Sequence, residues 1–300
     1  MTMTTDTIIY TNGLRAWTLA ARPKTLSGAV APVLVGVAWA WAEGSSLKWL
    51  PAVLCLLFAL LMQVTANFVN DYVDFLGKRD QEGRLGPKRA CSQGWITPKA
   101  MRRGITVSTA LSCLVGLPLV LWGGWTMIGV GVLCVVFCFL YSTTLSELGL
   151  GDVLVLVFFG LVPVCLTYYL QRGSVSSGVW LCSVAMGLAT DALLLVNNYR
   201  DIEQDRSSGK RTLAVAMGAR LTRWLYLLVG LLAAALSLWA LLLLGKTWQA
   251  ALLLIYIVLH LRNHSLMRRI NAGAGLNRVL GLTGMEIFVF ALTLSLAAIL

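Results

Sequence analysis

The chain has 300 residues, of which 58% are hydrophobic and only 12% are charged, with a mean hydropathy of +0.78 and a formal net charge of +11 at pH 7. A soluble globular protein carries about 25% charged residues, so this composition excludes a soluble enzyme. The sequence instead predicts an all-α polytopic membrane protein that forms a single domain over residues 1–300.

Apolar segments recur along the whole chain, and crossing a bilayer takes roughly 20 residues of helix. We expect about nine spans. In chain order they cover residues 25–42, 51–70, 104–122, 127–145, 152–170, 179–198, 221–244, 249–260 and 281–300. The eighth segment is short, and its helix can continue past His260.

The basic residues are distributed unevenly between the two sides of these spans. With a cytoplasmic N-terminus, all but three of the 24 Lys and Arg residues lie in cytoplasmic segments, and the exceptions are Lys48, Arg172 and Lys246. This is the positive-inside bias of membrane proteins, so the positive charge sets orientation and does not indicate a nucleic-acid partner. The sequence therefore predicts a multi-pass protein of the inner (plasma) membrane whose N-terminus is cytoplasmic.

The second span ends in a segment that is unusually rich in acidic side chains. Four polar residues follow each other at i, i+3, i+4 and i+7, which places them on one stripe of a helix. They are Asn67, Asn70, Asp71 and Asp74. A further acid, Asp80, follows beyond Gly77, where the helix can end. The basic residues close behind are Lys78, Lys88 and Arg89.

The sixth span ends in a similar segment on the same side of the membrane. Asn198, Asp201 and Asp205 stand at i, i+3 and i+7 on one stripe, with Asn197 just before them, and the nearby basic residues are Arg200, Lys210 and Arg211. The two segments resemble a distant repeat, and they stand four spans apart. A helical bundle of two halves, with one site between them, follows naturally from this arrangement.

Carboxylates on one helix face repel each other, so two such stripes favour a cation between them. Oxygen ligands without His or Cys select a hard ion, Mg²⁺ or alternatively Mn²⁺. The basic residues behind each stripe would then bind phosphate oxygens. The alternative is that these charges only solvate the helix ends or set topology.

The segments "NDYVD" (70–74) and "NNYRDIEQD" (197–205) resemble the two Asp-rich motifs of the UbiA-type intramembrane prenyltransferases. "RPKTL" (22–26), "RLGPKRA" (84–90), "GLGD" (149–152), "FFG" (158–160) and "YYLQ" (168–171) are similar to the branch that prenylates 1,4-dihydroxy-2-naphthoate in menaquinone synthesis. The resemblance covers about residues 15 to 225, and the rest matches only as a helix pattern. One departure is Lys78, which stands where many members carry a third acid. Here the third acid, Asp80, comes six residues after Asp74, as that branch tends to have it, and without Asp80 the first motif would hold the metal with two carboxylates.

The resemblance implies a bundle with a central cavity and an active site on the cytoplasmic side. A polyprenyl diphosphate and dihydroxynaphthoate would react there, with Mg²⁺, to give demethylmenaquinone, diphosphate and CO₂. Asp71, Asp74, Asp80, Asp201 and Asp205 become the expected metal ligands. The neighbouring asparagines and basic residues, with Arg200, become the expected substrate-binding residues.

Several further residues receive candidate roles. An aromatic face stabilises an allylic cation without trapping it, although interfacial packing is an equal alternative. The tyrosines concerned are Tyr72, Tyr141, Tyr168, Tyr169 and Tyr199. Arg22, with Lys24 beside it, is expected near the carboxylate of the aromatic acid, or it only sets topology. Asp152 orients the ring hydroxyls, accepts their proton, or caps the fifth span.

Two other functions remain open at this point. The same chemistry could act on another aromatic acceptor, such as 4-hydroxybenzoate or homogentisate. A secondary transporter for an anionic substrate also has two halves and charges near helix ends. Transporters place their ion site near the midplane of the membrane, whereas both stripes here lie at span ends, which counts against transport.

Overall fold

The computed structural model describes residues 9–44, 46–77, 85–146 and 148–300, and this part of the chain is helical, with no strand. The predicted Lys78 and Asp80 lie outside it. The α-helices, in chain order, are α1 (Leu14–Ala21), α2 (Ser27–Ala42), α3 (Trp49–Leu76), α4 (Pro98–Gly116), α5 (Val120–Gly123), α6 (Thr126–Leu140), α7 (Gly151–Leu156), α8 (Val162–Arg172), α9 (Ser177–Arg200), α10 (Ile202–Ser207), α11 (Leu213–Leu243), α12 (Leu253–Ile270) and α13 (Leu276–Ile299).

Within the described residues, eight helices are long and apolar enough to cross a membrane, and the pair Leu14–Thr25 and Ser27–Ala42, bent by 47°, makes up to nine. In lipid every backbone polar group must find its partner inside the protein, and a continuous helix achieves this. The predicted all-α membrane bundle is confirmed, and its eighth span continues to Ile270.

The bend between α1 and α2 is held by a side chain of the third helix. Arg22 has a left-handed backbone (φ 53°, ψ 69°), which is uncommon for a residue with a side chain. The Asn67 amide on α3 donates to the Ala21 carbonyl oxygen at 2.8 Å and to the Thr25 hydroxyl at 3.0 Å. One residue of the first acidic stripe therefore fixes the segment that carries Arg22.

Two π-helical turns interrupt the middle of the chain, at Tyr141–Leu145 and Val157–Leu161. Such turns are rare and occur frequently at functional sites. The second one contains the "FFG" segment, and it continues α7 into α8 as a single membrane span, Gly151–Arg172.

Helix α9 is the centre of the bundle, since 67% of its apolar stretch is buried, against 11% for the span that begins with α6. Two glycines allow the second π-helical turn to pack directly on it. A Cβ atom at Gly160 would lie 2.4 Å from the Ser183 carbonyl oxygen and 2.7 Å from the Cα atom of Gly187. This close contact fixes the position of α7 relative to α9.

We expect Gly160→Val to lower the midpoint of thermal unfolding in detergent, because overpacking a tight contact costs about 1–3 kcal/mol. The matched control is Gly129→Ala on α6, where an added Cβ meets no atom within 4 Å. That variant should keep or raise the midpoint, since alanine favours a helix over glycine by about 1 kcal/mol. Equal midpoints for the two variants would contradict the close helix contact.

Candidate active site

A cavity of about 1490 Å³ lies between α2, α3, α6, α8, α9 and α13. Most of its wall is apolar, and polar side chains gather at one end, which we call the polar mouth. The polar mouth consists of Arg22, Lys24, Asn70, Asn197, Asn277 and Arg278. Asn70 of the first stripe and Asn197, which precedes the second stripe, both line the cavity, so the two acidic segments reach the same end of it. The four aspartates of the stripes do not line it.

Asp71 points away from this cavity and anchors the segment after α3. Its carboxylate accepts hydrogen bonds from the backbone N–H groups of Ala90 (2.7 Å) and Cys91 (2.9 Å). The residue is only 1% exposed. Burial, together with the charge of Asp71, raises the pKa of the Cys91 thiol to about 12, so this cysteine remains neutral. In this structure Asp71 therefore acts as a loop anchor.

Asp74 forms a short ion pair with Arg89, and both side chains are largely buried. The Nε and Nη1 atoms of Arg89 are buried, yet neither finds a hydrogen-bond partner among the described residues. An unsatisfied N–H group in a buried place costs about 1–3 kcal/mol, and more when it is charged. This guanidinium is therefore suited to an additional anion.

The second stripe is organised by Arg200 at the end of α9. Its guanidinium donates to both carboxylate oxygens of Asp201 (2.8 and 2.6 Å) and to the Oδ1 atom of Asn197 (2.9 Å). Lys210 lies 3.6 Å from the carboxylate of Asp205. Burial raises the pKa of Asp205 above its ordinary value, and the charge of Lys210 opposes that rise.

Helix α13 contributes a residue that the sequence did not reveal. Asn277 accepts a hydrogen bond from Arg200 at 2.8 Å, and its amide donates to the carbonyl oxygen of Leu85 at 2.8 Å. It thus connects the second acidic segment to the segment that follows the first one. Asn277 lies outside the region of the chain that resembles known motifs, so no sequence signal marked it.

The remaining predicted residues fall into three groups. Lys24 and Tyr141 line the cavity. Lys88 and Arg211 are exposed on the surface, and Asn198 is buried without lining the cavity.

Four of the five candidate tyrosines do not line the cavity, contrary to expectation. Tyr168 contacts Glu43, which follows α2 at the end opposite the polar mouth. It therefore lies on the other side of the membrane-spanning bundle from the predicted site. Tyr199 donates to the backbone carbonyl of Asn271 at 2.6 Å, on the side of α9 that faces away from the cavity. Tyr72 packs in the apolar cluster around α1, α3 and α4. Tyr169 does not line the cavity either.

No three side chains of His, Cys, Asp or Glu converge on one point within the part of the chain that the structure describes. A closed metal centre made only of protein ligands is therefore not present there. The acids near the polar mouth each face a cation instead, and their carboxylate oxygens have the chemistry that a hard divalent ion prefers. Such an ion commonly takes its remaining ligands from a bound phosphate.

The chain belongs to the UbiA prenyltransferase family, whose model matches residues 29–297. It is an integral membrane prenyltransferase, which confirms the sequence-based prediction and decides against a transporter. The match includes the last third of the chain, which the motifs alone did not cover.

Curated relatives share high identity. The chain is 41% identical over 216 residues to a 1,4-dihydroxy-2-naphthoate octaprenyltransferase of Haemophilus influenzae. The matched region covers 69% of this chain and 70% of the relative. The chain is 36% identical over 283 residues to a 1,4-dihydroxy-2-naphthoate octaprenyltransferase of Mycobacterium tuberculosis, covering 93% and 95%.

Solved structures show the same fold at low identity. A UbiA homologue from Archaeoglobus fulgidus bound to GPP and Mg²⁺ superposes with a TM-score of 0.67 at 15% identity, covering 95% of this chain and 99% of that one. The apo structure of a UbiA homologue from Aeropyrum pernix gives 0.69 at 14% identity, covering 88% and 96%.

We expect Asp71→Asn to lower the midpoint of thermal unfolding, because its amide group would face a buried backbone N–H group and leave that donor unsatisfied, at a cost of about 1–3 kcal/mol. The matched control is Glu203→Gln, which removes an exposed carboxylate from its ion pair with Arg206. Exposed pairs contribute about 0–1 kcal/mol, so the control should keep its midpoint. An Asp71→Asn variant that unfolds like the wild type would show that Asp71 does not anchor the loop.

Proposed function

We propose that the protein transfers a polyprenyl group from polyprenyl diphosphate to 1,4-dihydroxy-2-naphthoate, releasing diphosphate and CO₂ and giving demethylmenaquinol, the reduced (hydroquinone) form of demethylmenaquinone. The acceptor is supported by the names of the relatives, which match up to 93% of the chain at more than 30% identity. Another aromatic acceptor, such as 4-hydroxybenzoate, is the alternative that the experiment below decides.

The observation that carries the proposal is the contrast between the two ends of the cavity. An apolar interior suits a prenyl chain, because each buried CH₂ group contributes about 0.8 kcal/mol. At the polar mouth, Pro87 lines the cavity, and Arg89 two residues later holds buried N–H groups without acceptors in the described structure. A diphosphate joined to a long apolar tail satisfies both regions at once.

The acids support a divalent metal, Mg²⁺ in the first place and Mn²⁺ as an alternative. Asp74, Asp201 and Asp205 would hold it, since each carboxylate, although largely buried, faces a cation that an incoming ion can replace. When bound, the ion neutralises charge on the departing diphosphate. A homologue of the same fold was solved with GPP and Mg²⁺.

The basic residues divide between the two anionic substrates. Arg89 and Lys210 lie beside the acids and would bind phosphate oxygens. Arg22 lines the same cavity from the bend before α2, where a left-handed backbone holds it in place. A guanidinium binds a carboxylate through two parallel hydrogen bonds, so Arg22 would anchor the aromatic acid apart from the diphosphate.

The charge distribution supports an orientation in which the polar mouth opens to the cytoplasm. Both acidic segments, the N-terminal segment and nearly all basic residues would then lie on the cytoplasmic side of a plasma membrane. Water-soluble dihydroxynaphthoate would enter from that side, while the prenyl tail would extend into the apolar part of the cavity.

The purified protein in nanodiscs should convert dihydroxynaphthoate and polyprenyl diphosphate to the prenylated product with Mg²⁺, and EDTA should abolish turnover until Mg²⁺ is restored. Product formation is measured by chromatography, with 4-hydroxybenzoate and homogentisate as parallel acceptors. Turnover of 4-hydroxybenzoate alone would assign a different acceptor. Undiminished turnover in excess EDTA would contradict the divalent ion.

A further inference from the structure

Two acidic residues that belong to neither stripe meet behind the wall of the cavity. Asp152 is the second residue of α7, and Asp191 lies in the middle of α9. Asp191 is 6% exposed. The start of α7 packs against α9 here, since the Leu194 side chain lies 3.3 Å from the place where a side chain at Gly151 would begin, and the two carboxyl groups lie within hydrogen-bonding reach of each other. In each of them the Oδ1 atom is buried and has no hydrogen-bond partner among the described residues.

A third polar group connects this pair to the cavity. Tyr141 begins the first π-helical turn, lines the cavity and lies close to both carboxyl groups. The Cε2 atom of its ring is 4.0 Å from the place where a side chain at Gly151 would begin. Thr190 and Leu194, which flank Asp191 on α9, also line the cavity.

The surroundings of the pair do not explain it as a structural element. Neither acid forms an ion pair with a described Lys, Arg or His residue. Another buried acid, Glu286, shows the contrast: it accepts hydrogen bonds from Asn263 (2.5 Å) and Tyr226 (3.3 Å) and lies 2.6 Å from the Nδ1 atom of His260.

Two carboxylates in contact within a poorly solvated site cannot both be ionised at low cost. The usual outcome is that they share one proton, so the pair carries a single negative charge and retains one basic oxygen. Such a pair can take up a second proton and release it again. Because the pair lies next to the hydroxyl group of Tyr141, which lines the cavity, it can exchange a proton with a bound substrate through that residue.

We propose that Asp152 and Asp191 share one proton and, through Tyr141, hold the hydroxyl proton of the aromatic acceptor while the new carbon–carbon bond forms. The inference rests on the proposed function for its substrate. Tyr141 is the catalytic residue, since it faces the cavity, and the two acids are positioning residues that act through it.

The step balances without an oxidant or a reductant. The C1–O bond of the prenyl diphosphate breaks, and its electron pair leaves with the diphosphate. The ring carbon that carries the carboxylate bonds to C1, while the ring hydroxyl gives its proton to the Tyr141 oxygen and Tyr141 gives its own proton to the basic carboxylate oxygen. When CO₂ leaves, the electron pair of its bond returns to the ring and the proton returns along the same path to the ring oxygen.

The test compares Asp152→Asn, Asp191→Asn and the double variant in nanodiscs. Each single variant should lower kcat for the aromatic acceptor about 10²-fold, which is the usual contribution of general acid–base catalysis. The double variant should fall no further than the more damaged single one, because the two acids act as a unit. The dissociation constant of a non-reacting prenyl diphosphate analogue should stay unchanged in these variants. The control is Ser183→Ala on α9, which does not line the cavity and should keep the kcat of the wild type.

A second measurement does not depend on the acceptor. The infrared difference between the wild type and Asp191→Asn at pH 7, without substrates, should contain the band of a protonated carboxyl group. Three results would overturn the shared proton. They are absence of this band, a loss of kcat in the double variant equal to the product of the two single losses, and near-normal kcat in both single variants. If the wild type shows the band but does not prenylate dihydroxynaphthoate, the shared proton stands and only the proposed acceptor is wrong.

Discussion

The active site depends on one constraint, which is that charges beside an apolar cavity must be paired inside the protein. Helices α3 and α9 both end near the polar mouth, and an aspartate at each helix end meets a guanidinium, in the pairs Asp74–Arg89 and Asp201–Arg200. Removing one member of a buried pair leaves an uncompensated charge, at a cost of about 3–5 kcal/mol. These pairs therefore hold the two helix ends in a defined state until a charged substrate arrives.

The pairs are not equivalent, and the difference bears on their use. Arg200 is satisfied by Asp201, Asn197 and Asn277 together. Arg89 retains buried N–H groups without acceptors within the described residues. The first acidic segment can therefore bind a further anion at Arg89. In the second segment the hydrogen-bond network around Arg200 is already complete, and α13 contributes to it through Asn277. A diphosphate bound at Arg89 would lie beside the carboxylate of Asp74.

Much of the architecture could be predicted from the sequence, because lipid leaves few alternatives. Length and hydropathy are sufficient to locate the membrane spans, and helical spacing places Asn70 on a stripe that reaches the cavity. On the second helix the spacing selects Asn198, which is buried without lining the cavity, whereas its neighbour Asn197 lines it. Spacing does not show which way a carboxylate turns, so it could not reveal that Asp71 anchors a loop by accepting two backbone hydrogen bonds. It also could not place Tyr168, whose distance from the polar mouth depends on where it lies along its span. Asn277 and the contact between Asp152 and Asp191 depend on helix packing alone, for which a single sequence carries no signal.

The central claim is that the two acidic helix ends bind one diphosphate together through a divalent ion. Titration calorimetry with a non-reacting prenyl diphosphate analogue tests it without any turnover. We predict that Mg²⁺ tightens binding to the wild type at least about tenfold, or about 1.4 kcal/mol, and that this gain disappears in both Asp74→Asn and Asp201→Asn. Equal affinity of the wild type with and without Mg²⁺, or a gain that persists in both variants, would contradict the claim.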